Sequence, residues 1–148
     1  MLREAGLLQE PLLHLSRYFE QHKERYLNGL YEVSLRGDWH GWVEFFLIAV
    51  ATEASRAVDT VRKLLAMRDD YRTRYRRHRA KRLSKVTDLL FSQPVQSVSS
   101  IAEALDMNYK TARSMVGILA ADGILEETTG KQRSRIYLAP EIMQLLEE

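Results

Sequence analysis

Cysteine is absent from the 148 residues. That excludes a disulfide-stapled scaffold and any zinc site built on thiolates, and it suits a reducing, cytoplasmic compartment. There is no apolar run long enough to cross a membrane, so no membrane partner is expected. The N-terminal MLREAGLLQEPLLHLSRYF is too charged and too regularly patterned for a secretory signal. Internal repeats and low-complexity tracts are missing too. So are the marks of two common chemistries. No nucleophile elbow or Ser-His-Asp arrangement can be argued from the serines, and His14 and His22 have no carboxylate or histidine following at i+3 or i+4. The Trp39/Trp42 pair reads as core or interface rather than as a ligand cage.

What the chain does contain is enough apolar residue, 45% of the total, for a packed core. Its net charge is only +2, but the charge is unevenly spread. From Arg68 to Lys85 a dense basic run is interrupted by no acids other than Asp69 and Asp70. Local density, not the total, sets the field that a polyanion meets.

The periodicity is that of helices, and the expected fold class is mainly α. Pro11 suits a first helical turn, and Leu12, Leu15, Phe19, Tyr26 and Leu30 follow at helical spacing. Arg36-Gly37-Asp38 breaks this helix, and Asp38 can cap the next. Trp39, Trp42, Val43, Phe46, Leu47, Val50 and Ala54 then continue a stripe towards Val58, Val61 and Leu65. Phe45 to Ala51 is apolar on every side, so its middle should be buried all round. No proline or glycine interrupts residues 42–92, which leaves room for one long helix or two abutting ones before Gln93-Pro94. Composition changes near residue 82, giving an expected division into 1–80, a helical piece, and 81–148. Two helices alone leave part of such a greasy surface bare. The face around Trp42 to Val50 should therefore be covered by more of a longer protein or by a second copy in a homodimer.

Residues 97–138, SVSSIAEALDMNYKTARSMVGILAADGILEETTGKQRSRIYL, supply the parts of a DNA-binding unit in order. Ser100-Ile-Ala-Glu103 has capping-box spacing and should open a short helix. Asp106-Met107-Asn108 is a polar turn, Tyr109 to Ala121 a second helix, and Asp122-Gly123 its stop. Two strand-like segments joined by Thr129-Gly130 complete what resembles a winged helix-turn-helix with a small β-hairpin. Ala112, Met115, Val116 and Leu119 should face inward onto Ile101, Leu105 and Ile124. Tyr109, Lys110, Thr111, Arg113 and Ser114 would then carry the DNA contacts, with Gly117 permitting close approach on the same outward side. Lys131, Arg133 and Arg135, alternating on the returning strand, would share one face over a phosphate strand. Two plainer roles compete: a protein-docking surface for the helix, and edge protection by the charged strand. Around the basic run, Tyr71, Tyr75 and His78 form a narrow stripe that suits packing on a neighbour as well as contact with DNA.

The first half has a further likeness. Pro11-Leu12-Leu13-His14-Leu15-Ser16-Arg17-Tyr18-Phe19, followed by Gly37-Asp38-Trp39-His40-Gly41-Trp42-Val43-Glu44-Phe45-Phe46-Leu47, resembles the end of a Fic-family domain, a family in which many members finish in a winged helix. The resemblance implies AMP transfer from ATP by a His-Pro-Phe-x-(Asp/Glu)-Gly-Asn-Gly-Arg loop, whose histidine serves as base while glycine amides and arginine hold phosphates. None of His14, His22, His40 and His78 precedes a proline, and no Gly-Asn-Gly-Arg occurs. The family's inhibitory (Ser/Thr)-x-x-x-Glu-(Gly/Asn) pattern is also missing, since Ala104 follows Glu103. No catalytic residue is carried over. The resemblance instead implies a C-terminal portion whose catalytic domain would lie upstream of Leu2, with ATP belonging to that domain. This chain is then expected not to be an enzyme itself, but a regulatory or targeting module, and to hold no cofactor or metal.

Overall fold

Gly37 ends one helix with φ of +67°, a left-handed conformation that costs a residue without a side chain little. The next residue, Asp38, accepts a hydrogen bond from the Gly41 N–H at 3.1 Å, as the sequence leads one to expect of a cap. This turn organises the N-terminal part of the protein. The computed structural model describes residues 14–75, 80–131 and 135–147. Over them the chain is mainly helical with one small antiparallel sheet, and it parts into two compact units, Met1–Asp59 and Thr60–Glu148.

In the first unit α1 (Leu15–Gln21) and α2 (Lys23–Arg36) meet at His22, whose ring stacks on Tyr18 and bonds to the Tyr18 carbonyl at 2.9 Å. After the Gly37 turn comes α3 (Trp39–Arg74). Phe19 of α1 stacks on Phe45 and Tyr26 of α2 tilts against Trp42, so later residues of the α1–α2 run meet earlier residues of α3 and the run is antiparallel to α3. Gly29 lets them close up: a methyl there would lie 3.1 Å from the Trp42 ring. The buried line of α3 is Phe45, Ala49 and Glu53, with Trp42 half-buried and the Glu53 carboxylate paired to Arg56 at 3.0 Å.

The apolar run from Phe45 to Ala51 is not buried all round. Leu47 is 58% exposed and Ile48 38% exposed, because α1 and α2 cover only the side of α3 that carries Phe45 and Ala49. The residues Trp42 to Val50 therefore do not form one bare face. Trp42, Phe45 and Ala49 point into the unit, and the bare line runs through Trp39, Val43 and Leu47. Pro11, Leu12 and Leu13 lie outside the described residues.

In the second unit the C-terminal end of α3 joins α4 (Ala80–Ser92), β1 (Val95–Ser97), α5 (Val98–Ala104), α6 (Tyr109–Ala121), β2 (Glu126–Glu127), β3 (Ile136–Leu138) and α7 (Pro140–Glu147). The sheet order is β1-β3-β2, antiparallel throughout, with Val95 opposite Leu138 and Glu126 opposite Leu138 on the other side. Val86 and Leu90 of α4, Ile101 of α5, Val116 and Leu119 of α6 and Ile142 of α7 make one core. Tyr71 and Tyr75 belong to that core as well. By packing, the division falls between Asp59 and Thr60, ahead of the composition change near residue 82. Among the described residues, no helix is long and apolar enough to cross a membrane.

Candidate nucleic-acid interface

The strand β1 delivers Ser97 in extended backbone, φ −97° and ψ 163°, directly ahead of α5. There the Ser97 hydroxyl accepts from the Ser100 N–H at 3.0 Å, and the Ser100 hydroxyl accepts from the Ser97 N–H at 2.9 Å. The capping box is thus Ser97/Ser100, and the expected opening at Ser100 with Glu103 is corrected. Both pairs have the i, i+3 spacing, but the extended backbone that a cap requires occurs at Ser97. Gln96, buried beneath, accepts from the Ser100 hydroxyl and ties the helix start to the strand.

Between α5 and α6 the chain turns through Asp106, which adopts φ of +47°, and reaches Asn108. The Asn108 side chain accepts from the Thr111 N–H at 2.8 Å and starts α6 at Tyr109. At the other end Asp122 caps the helix and Gly123, at φ +77°, takes the chain away. Ala112, Val116 and Leu119 are buried, with Met115 partly so, against Ile101, Leu105 and Ile124. On the opposite side Lys110, Arg113, Ser114 and Gly117 are exposed within a sector about 100° wide, as 3.6 residues per turn requires. Tyr109, 54% exposed, flanks them at the helix start, and the Thr111 side chain is half-buried. Nothing lies within 4 Å of where a Gly117 side chain would begin. Among the described residues no ion pair is made by Lys110 or Arg113.

The hairpin differs from expectation. Lys131 and Arg135 are not on the returning strand, which begins only at Ile136; they belong to the loop before it. Period-two alternation therefore does not put the cations on a common face. Lys131 and Arg135 are instead brought together by a hydrogen bond, Arg135 Nε donating to the Lys131 carbonyl at 2.8 Å. Both are exposed. Arg133 lies outside the described residues. Glu127 shapes the near side of the loop by accepting from the Thr129 N–H at 2.9 Å and from its hydroxyl at 2.5 Å. The Thr129 hydroxyl, the Thr129 and Gly130 N–H groups and the Arg135 charge hold the Glu127 carboxyl below the ordinary carboxylate range.

Part of the basic run is committed to the fold. Arg72 makes a two-pronged pair with Asp88 at 2.9 and 3.1 Å, and Arg74 pairs with Asp70 at 3.0 Å. Tyr71 donates to Glu141 at 2.8 Å and Tyr75 to Asp122 at 2.5 Å. Burial, and then donation to a carboxylate, pushes both phenols above the usual phenol range. The tyrosine stripe is therefore packing, and His78, Arg76, Arg77 and Arg79 lie outside the described residues. Sequence reasoning missed the Tyr71–Glu141 and Tyr75–Asp122 links. The i, i+4 spacing of the two tyrosines was the available signal, and it named no partner.

No protein-family model matches the chain. Among the described residues no group of three or more His, Asp and Glu side chains could hold a metal ion.

Proposed function

We propose that residues 95–147 form a winged helix that binds duplex DNA, with α6 entering the major groove and the Lys131–Arg135 loop resting on phosphates. The observation that carries this reading is the outward sector of α6. Two exposed cations without acidic partners among the described residues, a serine and an unobstructed glycine share one side of a helix whose other side is core. Cations near the start of such a helix meet base edges and phosphates together, and Tyr109, Lys110, Thr111, Arg113 and Ser114 all fall there. Lys131 and Arg135 add a second cationic point on the adjoining loop; Arg133, between them in sequence, would extend it.

The role that follows is regulatory or targeting. On the Fic-like reading of the N-terminal helices, the module would direct an AMP-transferring domain encoded in other residues, and ATP would belong to that domain. A second reading rests on Ile118, 39% exposed on the flank of the same sector, which suits docking of α6 to a protein surface. Electrophoretic mobility with random duplexes at low salt separates the two. DNA binding predicts a shifted band that Lys110→Ala with Arg113→Ala weakens. An unshifted band, or one that ignores the double substitution, favours protein docking.

A further inference from the structure

The outward side of α6 is as one-sided in hydrogen-bonding character as it is in charge. Between Tyr109 and Ala121 the helix has no Asp, Glu, Asn or Gln. The exposed polar groups of its outward sector are the Lys110 ammonium, the Arg113 guanidinium and the Ser114 hydroxyl. The first two only donate hydrogen bonds; the third donates or accepts and so favours no base. Asn108, directly ahead of the helix, is the one amide at its start. Its Oδ1 already accepts from the Thr111 N–H at 2.8 Å, so reading adenine through Asn108 would set that capping bond in competition with the base. Asp106, the nearest carboxylate in sequence, belongs to the turn and not to the helix.

Resting on the reading of α6 as a groove-entering helix, we infer that the sequence it selects is two neighbouring G·C pairs, with guanine N7 and O6 accepting from Arg113 at one pair and from Lys110 at the next. The major-groove edge of guanine is two adjacent acceptors. Adenine sets its N6 donor beside N7, and thymine offers one acceptor beside a methyl group. A guanidinium fork is therefore matched at guanine and meets a competing donor at adenine. Spacing sets the step. Lys110 and Arg113 are three residues apart, about 4.5 Å along the axis, and residues so spaced on a helix in the groove face successive base pairs. Ile118, whose apolar surface suits a thymine methyl, lies five residues past Arg113 and so meets a different pair. Charge alone carries both cations onto any duplex, because a cation in the groove displaces counterions wherever it rests. The guanine step adds directed bonds to that common attraction.

The test uses the full chain and fluorescence anisotropy at one low salt concentration. Three short duplexes are compared: mixed A·T pairs throughout, the same with one central guanine–guanine step, and the same with inosine in place of both guanines. Inosine keeps N7 and O6 and lacks only the amino group of the minor groove, so it reports the major-groove edge alone. The guanine and inosine duplexes should bind alike, and about tenfold or more tighter than the A·T duplex. Arg113→Ala, at an exposed position, should weaken binding to all three and narrow the gap between them, with the melting temperature in place. Equal affinity for the A·T and guanine duplexes, a preference that inosine removes, or a gap that Arg113→Ala leaves as wide would each overturn the inference while DNA binding stands. Binding to none of the three would overturn the DNA reading, and the inference with it.

Discussion

The Tyr75 hydroxyl donates to the Asp122 carboxylate at 2.5 Å, so the residue that directly follows α3 holds the residue that caps α6. The two are 47 positions apart in sequence, and the link fixes one end of the helix that presents Lys110 and Arg113. Tyr71 makes the companion link to Glu141 at the start of α7. Each of these tyrosines is nearly fully buried while its carboxylate partner is exposed, so each bond ties the core to a helix end at the surface.

Tyr75→Phe keeps the ring and removes the donor. A hydrogen bond to a charged group contributes about 1.5–3 kcal/mol, and a loss of that size is expected in urea unfolding of the second unit. Tyr71→Phe should behave alike. A substitution that left the unfolding midpoint unchanged would mean that the Tyr75–Asp122 bond does not hold α6.

The same tyrosines predict an alkaline limit. Their folded phenols are raised above the ordinary value near 10. Their contribution to stability is therefore complete below about pH 10 and is lost as pH rises above it, because the unfolded chain ionises first. Thermal unfolding between pH 9 and pH 11 should show a falling midpoint. The fall should be smaller in the Tyr71→Phe, Tyr75→Phe double variant.

Gly117 separates stability from function. Alanine there meets no atom within 4 Å and should stabilise α6 by about 1 kcal/mol through helix propensity. If α6 lies in a groove as proposed, the added methyl should weaken DNA binding even as the melting temperature rises. Equal or tighter binding would show that the backbone at Gly117 does not approach DNA closely.

Much of the second unit was legible because its signals are local. Asn108 and Gly123 bound α6 where the sequence places them, and a period of 3.6 separates Ala112, Val116 and Leu119 from Lys110 and Arg113 without knowledge of the rest. The Gly37-Asp38 break is local in the same way. Other features depend on distant partners. Which side of the uniformly apolar Phe45–Ala51 run is covered depends on where Phe19 and Tyr18 arrive, and hydrophobicity alone does not say. The start of β3 at Ile136 is set by pairing to β1 and β2, and the loop before it closes on an Arg135 side chain rather than on a ladder. The cap at Ser97 depends on the extended backbone that the pairing of Ser97 with Ile136 imposes.

Salt titration of DNA affinity examines the outward cations of α6 most directly. Fluorescence anisotropy with a random duplex between 50 and 200 mM salt should give a straight line of log affinity against log salt. Each phosphate contact contributes about 0.9 to that slope, so Lys110→Ala with Arg113→Ala should flatten it by about 1.8 while leaving the melting temperature in place. An identical slope in both proteins, or no binding by the unaltered chain at 50 mM, would contradict the account.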